Sequence, residues 1–268
     1  MNATAESAYI DPPNGTGRPC PLCSGAFSTL YMSAGAKENR DGVELRRCRC
    51  DFVFSKLPPY DYSDYWSSHW DACSKSDLMH QARKEGLDTL VREIIKKTQP
   101  KRVLDFGAGI GMTSMVFQSL GCRVVAAEES ERYRDAHRRF GLESAGTIDR
   151  EFDLIVAKDV LEHVEDPRKV LAMLAGLLSG AGHIYIRVPN VNAYPFLSVV
   201  ATRGHVNHFS PRTLVRLAAE CGLEFSNFVG VHDISSRGGR VYHAVFWPLR
   251  RLVPMYHQIS MLFVKPEP

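Results

Sequence analysis

Residues 102–112 read RVLDFGAGIGM, and the fold of the chain is decided there. An apolar strand ends at Asp105, after which Gly107, Gly109 and Gly111 let the backbone turn tightly and approach a ligand before a helix begins. The next apolar run, CRVVAA at 122–127, ends beside Glu128, 23 residues after Asp105, where a carboxylate can take a ribose diol. Working outward, DLIVAK (153–158) and HIYIRV (183–188) are two more strand candidates. Helices fall between and after them. Ser130 starts one as a cap, Asp166 with Pro167 starts another, and Ser210 with Pro211 starts a third that Gly222 ends. Upstream, apolar residues from Leu78 to Ile95 recur at helical spacing and predict one helix over 77–98, closed by Pro100. Strands alternating with helices of this length predict an α/β fold with a mostly parallel, doubly wound sheet.

A glycine-rich strand–helix turn serves two cofactor classes. A dinucleotide site wants a third glycine where this chain has Met112, and Asp105 ahead of the first glycine repels a pyrophosphate. A sugar-type dehydrogenase of this fold would also need a Tyr-x-x-x-Lys pair, which occurs nowhere in the sequence. An acid there suits a cationic, amino-acid-bearing ligand, and the balance favours S-adenosylmethionine.

Composition agrees with a globular enzyme. Of 268 residues, 44% are hydrophobic and 24% charged, which excludes a disordered chain, a fibrous repeat and a disulfide mini-protein. The net charge is only +3 (33 basic, 30 acidic), giving no composition-level case for nucleic acid or a membrane surface. No apolar run nears the roughly 18 residues of a membrane helix. The opening MNATAESAYIDPPNGTG lacks the basic and apolar regions of a secretory signal, so a cytoplasmic location is expected.

The Asp105 turn, Glu128, FDLIVAKDVLEHVEDP and IRVPN together resemble the class I S-adenosylmethionine-dependent methyltransferases, closest to the branch with a DVLEHV-type segment after the fourth strand. HVNHFSPRTLVRLAAECGLE is similar to the next landmark of that branch, a His-bearing loop leading into a helix. The resemblance covers about residues 77–264. It implies a Rossmann-like, seven-stranded, mostly parallel sheet whose last strand, ISMLFV, is antiparallel. It implies that Asp105, Gly107 and Gly109 line the methionine and ribose side, with Gly111 in the same turn, and that Glu128 holds the ribose hydroxyls. Asp149 is the candidate for the adenine contact after the third strand, and Lys158, ending the fourth strand, is counted with the cofactor residues.

Methyl transfer to a hydroxyl requires alignment of the nucleophile and removal of its proton, a task that suits histidine near neutral pH. Candidates are His163 in DVLEHV and His205 and His208 in GHVNHF, with Asp159 expected to cap a helix at the carboxyl end of the fourth strand. On such a helix Asp159, Glu162 and His163 would share one face and could hold a divalent ion. The resemblance extends to ubiquinone-pathway and small-RNA 2′-O-methyltransferases with a similar metal set, and to relatives in which the same segment orients the loop or the substrate. Metal site, orienting element and general base are the three roles open here.

Four of the seven cysteines fall in the first fifty residues: Cys20 and Cys23, then Cys48 and Cys50. Clustered thiols in a reducing compartment point to metal, and four sulfurs suit structural zinc. The second pair is spaced C-x-C where a zinc ribbon has C-x-x-C. CPLCSGAF and CDFVF nevertheless resemble the zinc-ribbon leader of some bacterial methyltransferases of this branch. The domains expected are a flexible leader at 1–18, the cysteine module at 19–57, a Pro- and Tyr-rich connector at 58–76 and a methyltransferase domain at 77–268. An aromatic, basic insertion at 237–258 reads as a packed helix pair against the sheet, a lid over the substrate, or a patch for a partner or membrane surface.

The leading functional expectation is methylation of a hydroxyl on a small-molecule or glycan-type metabolite. The alternatives are an RNA methyltransferase that reads through the ribbon and a non-catalytic cofactor-binding scaffold. The low net charge speaks against RNA, and KDVLEH stands where base N-methyltransferases carry an Asn/Asp-Pro-Pro-Tyr turn. Oligomeric state is not legible.

Overall fold

The computed structural model describes residues 19–25, 27–32, 43–55, 73–144, 148, 151–192, 204–229 and 258–267. The 1–18 leader, most of the 58–76 connector, Asp149 and the 237–257 part of the insertion lie outside the described residues.

Two cysteine-bearing turns flank the first hairpin, in which β1 (Phe27–Met32) pairs antiparallel with β2 (Val43–Cys48); β2 in turn pairs with β3 (Val53–Ser55). The helical stretch that follows is broken in two, contrary to the single helix predicted. Helix α1 (Lys75–Lys84) opens on a reciprocal Ser74–Asp77 capping box, and α2 (Leu87–Thr98) begins after Gly86, whose φ of 73° ends the first helix. Periodicity carried through the break because both helices bury the same apolar stripe, Leu78 and Ala82 followed by Leu87, Leu90, Val91 and Ile94.

The α/β body is then β4 (Arg102–Phe106), α3 (Met112–Ser119), β5 (Arg123–Ala127), α4 (Glu131–Phe140), β6 (Glu143–Ser144), β7 (Phe152–Lys158), α5 (Pro167–Gly176) and β8 (Leu178–Pro189). After these come β9 (Asn207–His208), α6 (Pro211–Glu220), β10 (Glu224–Phe228) and β11 (Gln258–Val264). The main sheet has seven strands in the order β10-β11-β8-β7-β4-β5-β6, and β11 runs antiparallel to both its neighbours. ISMLFV is thus the antiparallel strand that the resemblance implied.

Both faces of this sheet are buried, as a parallel sheet requires, and successive residues supply opposite faces. Val103, Val124, Leu154, Val156 and Tyr185 pack with α2 and α3. Leu104, Val125, Ile155, Ala157 and Ile186 pack with α5 and α6. The caps expected at Asp166 and Ser210 are present: Asp166 accepts from the Lys169 amide at 2.9 Å, and Ser210 from the Thr213 amide at 3.2 Å. Ser130 occupies the cap position of α4 without a side-chain bond.

The cysteine hairpins share this core. β9 is the fourth strand of the small sheet, pairing His208 with Val53 and Asn207 with Phe54. Phe52 packs edge-on to Phe209, ring centroids 5.2 Å apart, and Cys20, Leu22, Cys48, Phe52 and Phe54 belong to one apolar cluster with Leu104, Leu171 and Leu217. Arg168 of α5 donates to the Leu22 carbonyl. Because the apolar contact is continuous, we expect one cooperative unfolding transition in denaturant. Phe52→Ala should lower its free energy by about 3–5 kcal/mol; two separate transitions would show that the cores are independent.

Candidate active site

The glycine turn lies at the carboxyl ends of β4 and β5, where ligands bind in open α/β sheets. Gly107, Gly109 and Gly111 have φ of 70°, 53° and 90°, which side chains rarely tolerate. The amides of Gly107 and Ala108 donate to the Ala127 carbonyl at 2.9 and 3.1 Å, tying the turn to the end of β5. A Cβ on Gly107 would lie 2.6 Å from a Val160 methyl, and one on Gly111 the same 2.6 Å from Leu142. Gly109 faces open space, so its bare backbone can come close to a ligand.

Glu128 sits where the sequence reading put it, and it braces the turn. One carboxylate oxygen accepts from the Gly109 amide at 2.8 Å and the other from the Ser130 amide at 3.1 Å. Two amides leave lone pairs on that carboxylate for a diol. Asp105 lies beneath the turn, 2% exposed, and accepts from the Ser114 hydroxyl at 2.6 Å. Burial pushes its pKa up to about 6, against the pull of Ser114 and of the Lys158 charge. His137, on α4 and not among the candidates from the sequence, completes the bracing. Its buried ring bonds through Nε2 to the Gly109 carbonyl at 2.7 Å, and burial lowers its pKa. Nothing in the local pattern separates His137 from its arginine neighbours.

The DVLEHV stretch departs from expectation. It forms a turn after β7 and no helix, so the shared face of Asp159, Glu162 and His163 does not exist. Asp159 has a φ of 58° and caps nothing. Its carboxylate is held by Arg187 of β8, with Arg187 Nε at 3.0 Å, and by Lys158 at 3.1 Å. Burial would raise the Asp159 pKa, but those two cations hold it down at about 2. The reading missed Arg187, although an arginine in the otherwise apolar run HIYIRV was a visible signal.

His205 takes the place expected of Asp159. Glu162, His163 and His205 present donor atoms within 4.8 Å of one another. Glu162 is 1% exposed, its Oε2 has no partner, and burial together with the Asp159 charge drives its pKa well up. His163 donates from Nδ1 to the Gly204 carbonyl at 2.9 Å, which turns a lone pair on Nε2 toward Glu162 Oε1, 4.0 Å away. Its ring lies edge-on to His205 at 4.8 Å. His208 is not in this group. It is 2% exposed within the β3–β9 ladder, and burial, with His205 nearby, lowers its pKa to about 3. A ring so weakly basic and so closed in does not suit the base role expected of it.

Asn207, also unforeseen, ties the two segments together. Its side-chain amide donates to the carbonyls of Leu161 and Val164 at 2.9 and 2.7 Å. The backbone amides of Val206 and Asn207 both donate to the Glu162 carbonyl, at 2.7 and 3.1 Å.

The four module cysteines converge despite the C-x-C spacing. Their sulfurs lie within 4.8 Å of one another, with Cys20–Cys50 at 3.7 Å and Cys23–Cys48 at 3.3 Å. Tetrahedral sulfur ligands about 2.3 Å from zinc would sit close to that separation. Ser24 and Asp51 adopt left-handed φ of 54° and 68°, so each knuckle turns back on itself. The Gly25 amide donates to Cys23 Sγ at 3.4 Å, and a Cβ on Gly25 would crowd that sulfur at 3.1 Å. Burial pushes the Cys20 thiol up and Cys48 up to about 11. Burial thus disfavours the thiolate form of these two, and the four sulfurs could hold one cation, which would favour their deprotonation.

Comparison with known proteins agrees with this architecture. A sequence profile described as "Methyltransferase domain" matches residues 79–226. The chain is 26% identical over 219 residues to the ubiquinone biosynthesis O-methyltransferase of Aromatoleum aromaticum, covering 72% of this chain and 87% of that protein. To the enzyme of the same name from Thiobacillus denitrificans it is 28% identical over 199 residues, covering 63% and 84%. Among solved structures, the CcbJ methyltransferase of Streptomyces caelestis superposes with a TM-score of 0.56 at 14% identity, covering 77% of this chain and 100% of that one. The 1,6-didemethyltoxoflavin-N1-methyltransferase of Burkholderia thailandensis, bound to S-adenosylhomocysteine, gives 0.51 at 16% identity, covering 83% and 99%. With more than half its length matched and the expected seven-stranded sheet with its antiparallel last strand in place, this chain belongs to the methyltransferase-domain family and is a Rossmann-like, S-adenosylmethionine-dependent methyltransferase.

Proposed function

We propose that the protein methylates a hydroxyl group of a small biosynthetic metabolite, with the acceptor held beside His163 and His205. One observation carries this reading: the glycine turn and the Glu162–His163–His205 group stand at the same, carboxyl edge of the parallel sheet, at the ends of β4, β5 and β7. Its O-methyltransferase relatives support it as well. S-adenosylmethionine supplies an electrophilic methyl carbon there. Gly109 and Glu128 bind and orient the cofactor from the β5 side, with Asp105 and Lys158 below and beside the turn. His163, neutral because burial lowers its pKa and already donating from Nδ1, accepts the acceptor's proton at Nε2 or orients its hydroxyl. In this reading His208 is structural, as is Asp159, which anchors Arg187 and Lys158.

The unpartnered Glu162 oxygen supports a second form of this reading, in which Glu162, His163 and His205 hold a divalent cation; His163 Nε2 would then be a ligand in place of a proton acceptor, and the cation would place positive charge beside the acceptor oxygen. Zinc is the ion we assign to Cys20, Cys23, Cys48 and Cys50. RNA methylation keeps one favourable feature, a cavity of about 200 Å³ lined by Arg49, Arg212 and Arg216. Salt-dependent RNA binding together with methyl incorporation into RNA would move the assignment there. No helix among the described residues is long and apolar enough to cross a membrane.

We expect methyl-labelled S-adenosylmethionine to label small hydroxylated acceptors such as catechols or sugar derivatives and not RNA; label in RNA alone would overturn the proposal. His163→Ala should lower kcat by about 100-fold to 10,000-fold. Glu128→Ala should weaken S-adenosylhomocysteine binding about tenfold or more by calorimetry. Elemental analysis should find zinc in the wild type and lose it in Cys23→Ser. Asp159 has a depressed pKa, so its contribution to stability is present above the ordinary aspartate range and is lost as pH falls from about 4 toward about 2. Denaturant titrations should show that loss in the wild type and a flatter profile in Asp159→Asn.

A further inference from the structure

We propose that the cysteine module is a strap that positions the catalytic group, so that its metal state governs turnover and leaves cofactor affinity unchanged. This rests on the assignment of Glu162, His163 and His205 to the acceptor site.

The connection runs through backbone hydrogen bonds. Cys48 ends β2, and its amide donates to the Phe52 carbonyl at 2.8 Å, so the second knuckle leads directly into β3. β3 pairs with β9, and the Ser55 amide donates to the Val206 carbonyl at 3.0 Å. The amides of Val206 and Asn207 then reach the Glu162 carbonyl, while Gly204 accepts from His163. Residues 204–207 therefore lie between β3 and the Glu162–His163 turn, and they carry His205 into the donor group. At its far end the segment is tied to the main sheet, where the Val191 amide donates to the Phe209 carbonyl at 2.8 Å.

β9 is only two residues long and β3 only three. A ladder so short does not persist by itself. β3 is kept in place by its pairing with β2, by the knuckle that joins those two strands, and by the packing of Phe52 and Phe54 behind it. Without an ion the four thiols no longer draw the two knuckles together, and the strap loses one of its anchors. The cofactor residues are attached elsewhere: Gly107 and Ala108 to Ala127, Gly109 to Glu128 and His137. None of those bonds involves the module or residues 204–209. A displacement of His205 or Glu162 by about 1 Å is enough to slow an aligned transfer on the order of 100-fold.

Two measurements on the full chain test this. Hydrogen exchange by mass spectrometry, before and after zinc is stripped with a thiol-competing chelator, should show residues 204–209 losing protection while residues 103–111 keep theirs. This readout needs no substrate, so it stands even if the acceptor assignment fails. Equal protection at 204–209 in both states would overturn the strap. In the second arm, Ser55→Pro removes the amide that donates to Val206 and leaves all four cysteines intact. We expect zinc content and S-adenosylhomocysteine affinity to stay within about twofold of wild type, with kcat down on the order of 10- to 100-fold. Full kcat in that variant, or equal losses of cofactor affinity and kcat, would overturn the proposal.

Discussion

The carbonyl of Glu162 accepts two consecutive amides, those of Val206 and Asn207, and the placement of the Glu162–His163–His205 group depends on that junction. It joins a turn that follows the fourth strand of the main sheet to a segment more than forty residues later in the chain. The two histidines of the donor group stand on opposite sides of it. Asn207 reinforces it by bonding to the carbonyls on either side of Glu162 and His163, so the turn has its backbone satisfied without forming a helix. The cost is a buried Glu162 carboxyl with an oxygen lacking a partner. Such a group is expensive unless protonated or paired.

Charge around the site is sorted by burial. Asp159 is ionised because Arg187 and Lys158 flank it, whereas Glu162, three residues on, is pushed toward its neutral form by burial and by Asp159 itself. Two carboxyls in one turn thus have opposite tendencies, set by which of them has cations beside it. On the cofactor side the pattern repeats in milder form. Asp105 is raised by burial beneath the glycine turn, while Glu128, at the surface of the same turn, is engaged by amides.

Much of the fold was legible because its causes are local. The strands declare themselves as short apolar runs buried on both faces, and the helix starts at Asp166 and Ser210 follow from cap chemistry within four residues. The turn from Asp105 to Gly111 is legible for the same reason, since three alternate positions at positive φ favour glycine. Local signals also misled. A continuous apolar period hid the break at Gly86, and spacing alone made DVLEHV look like a helix face, although the pull of Arg187 on Asp159 and the bonding of the turn to residues 204–207 rule that out.

The sequence by itself determined the architecture, the glycine turn with Glu128 beside it and the identity of the four clustered cysteines, because each depends on neighbours a few residues apart or on a particular residue type. Only the tertiary structure decided which groups meet. His205 joins Glu162 and His163 while His208 is sealed in a ladder with Val53, and this depends on strand pairing between segments some 150 residues apart. The same pairing makes the cysteine module part of the enzyme's core. No spacing rule encodes it, since two short strands acquire a partner only when the apolar cluster around Phe52, Phe54 and Phe209 closes over them.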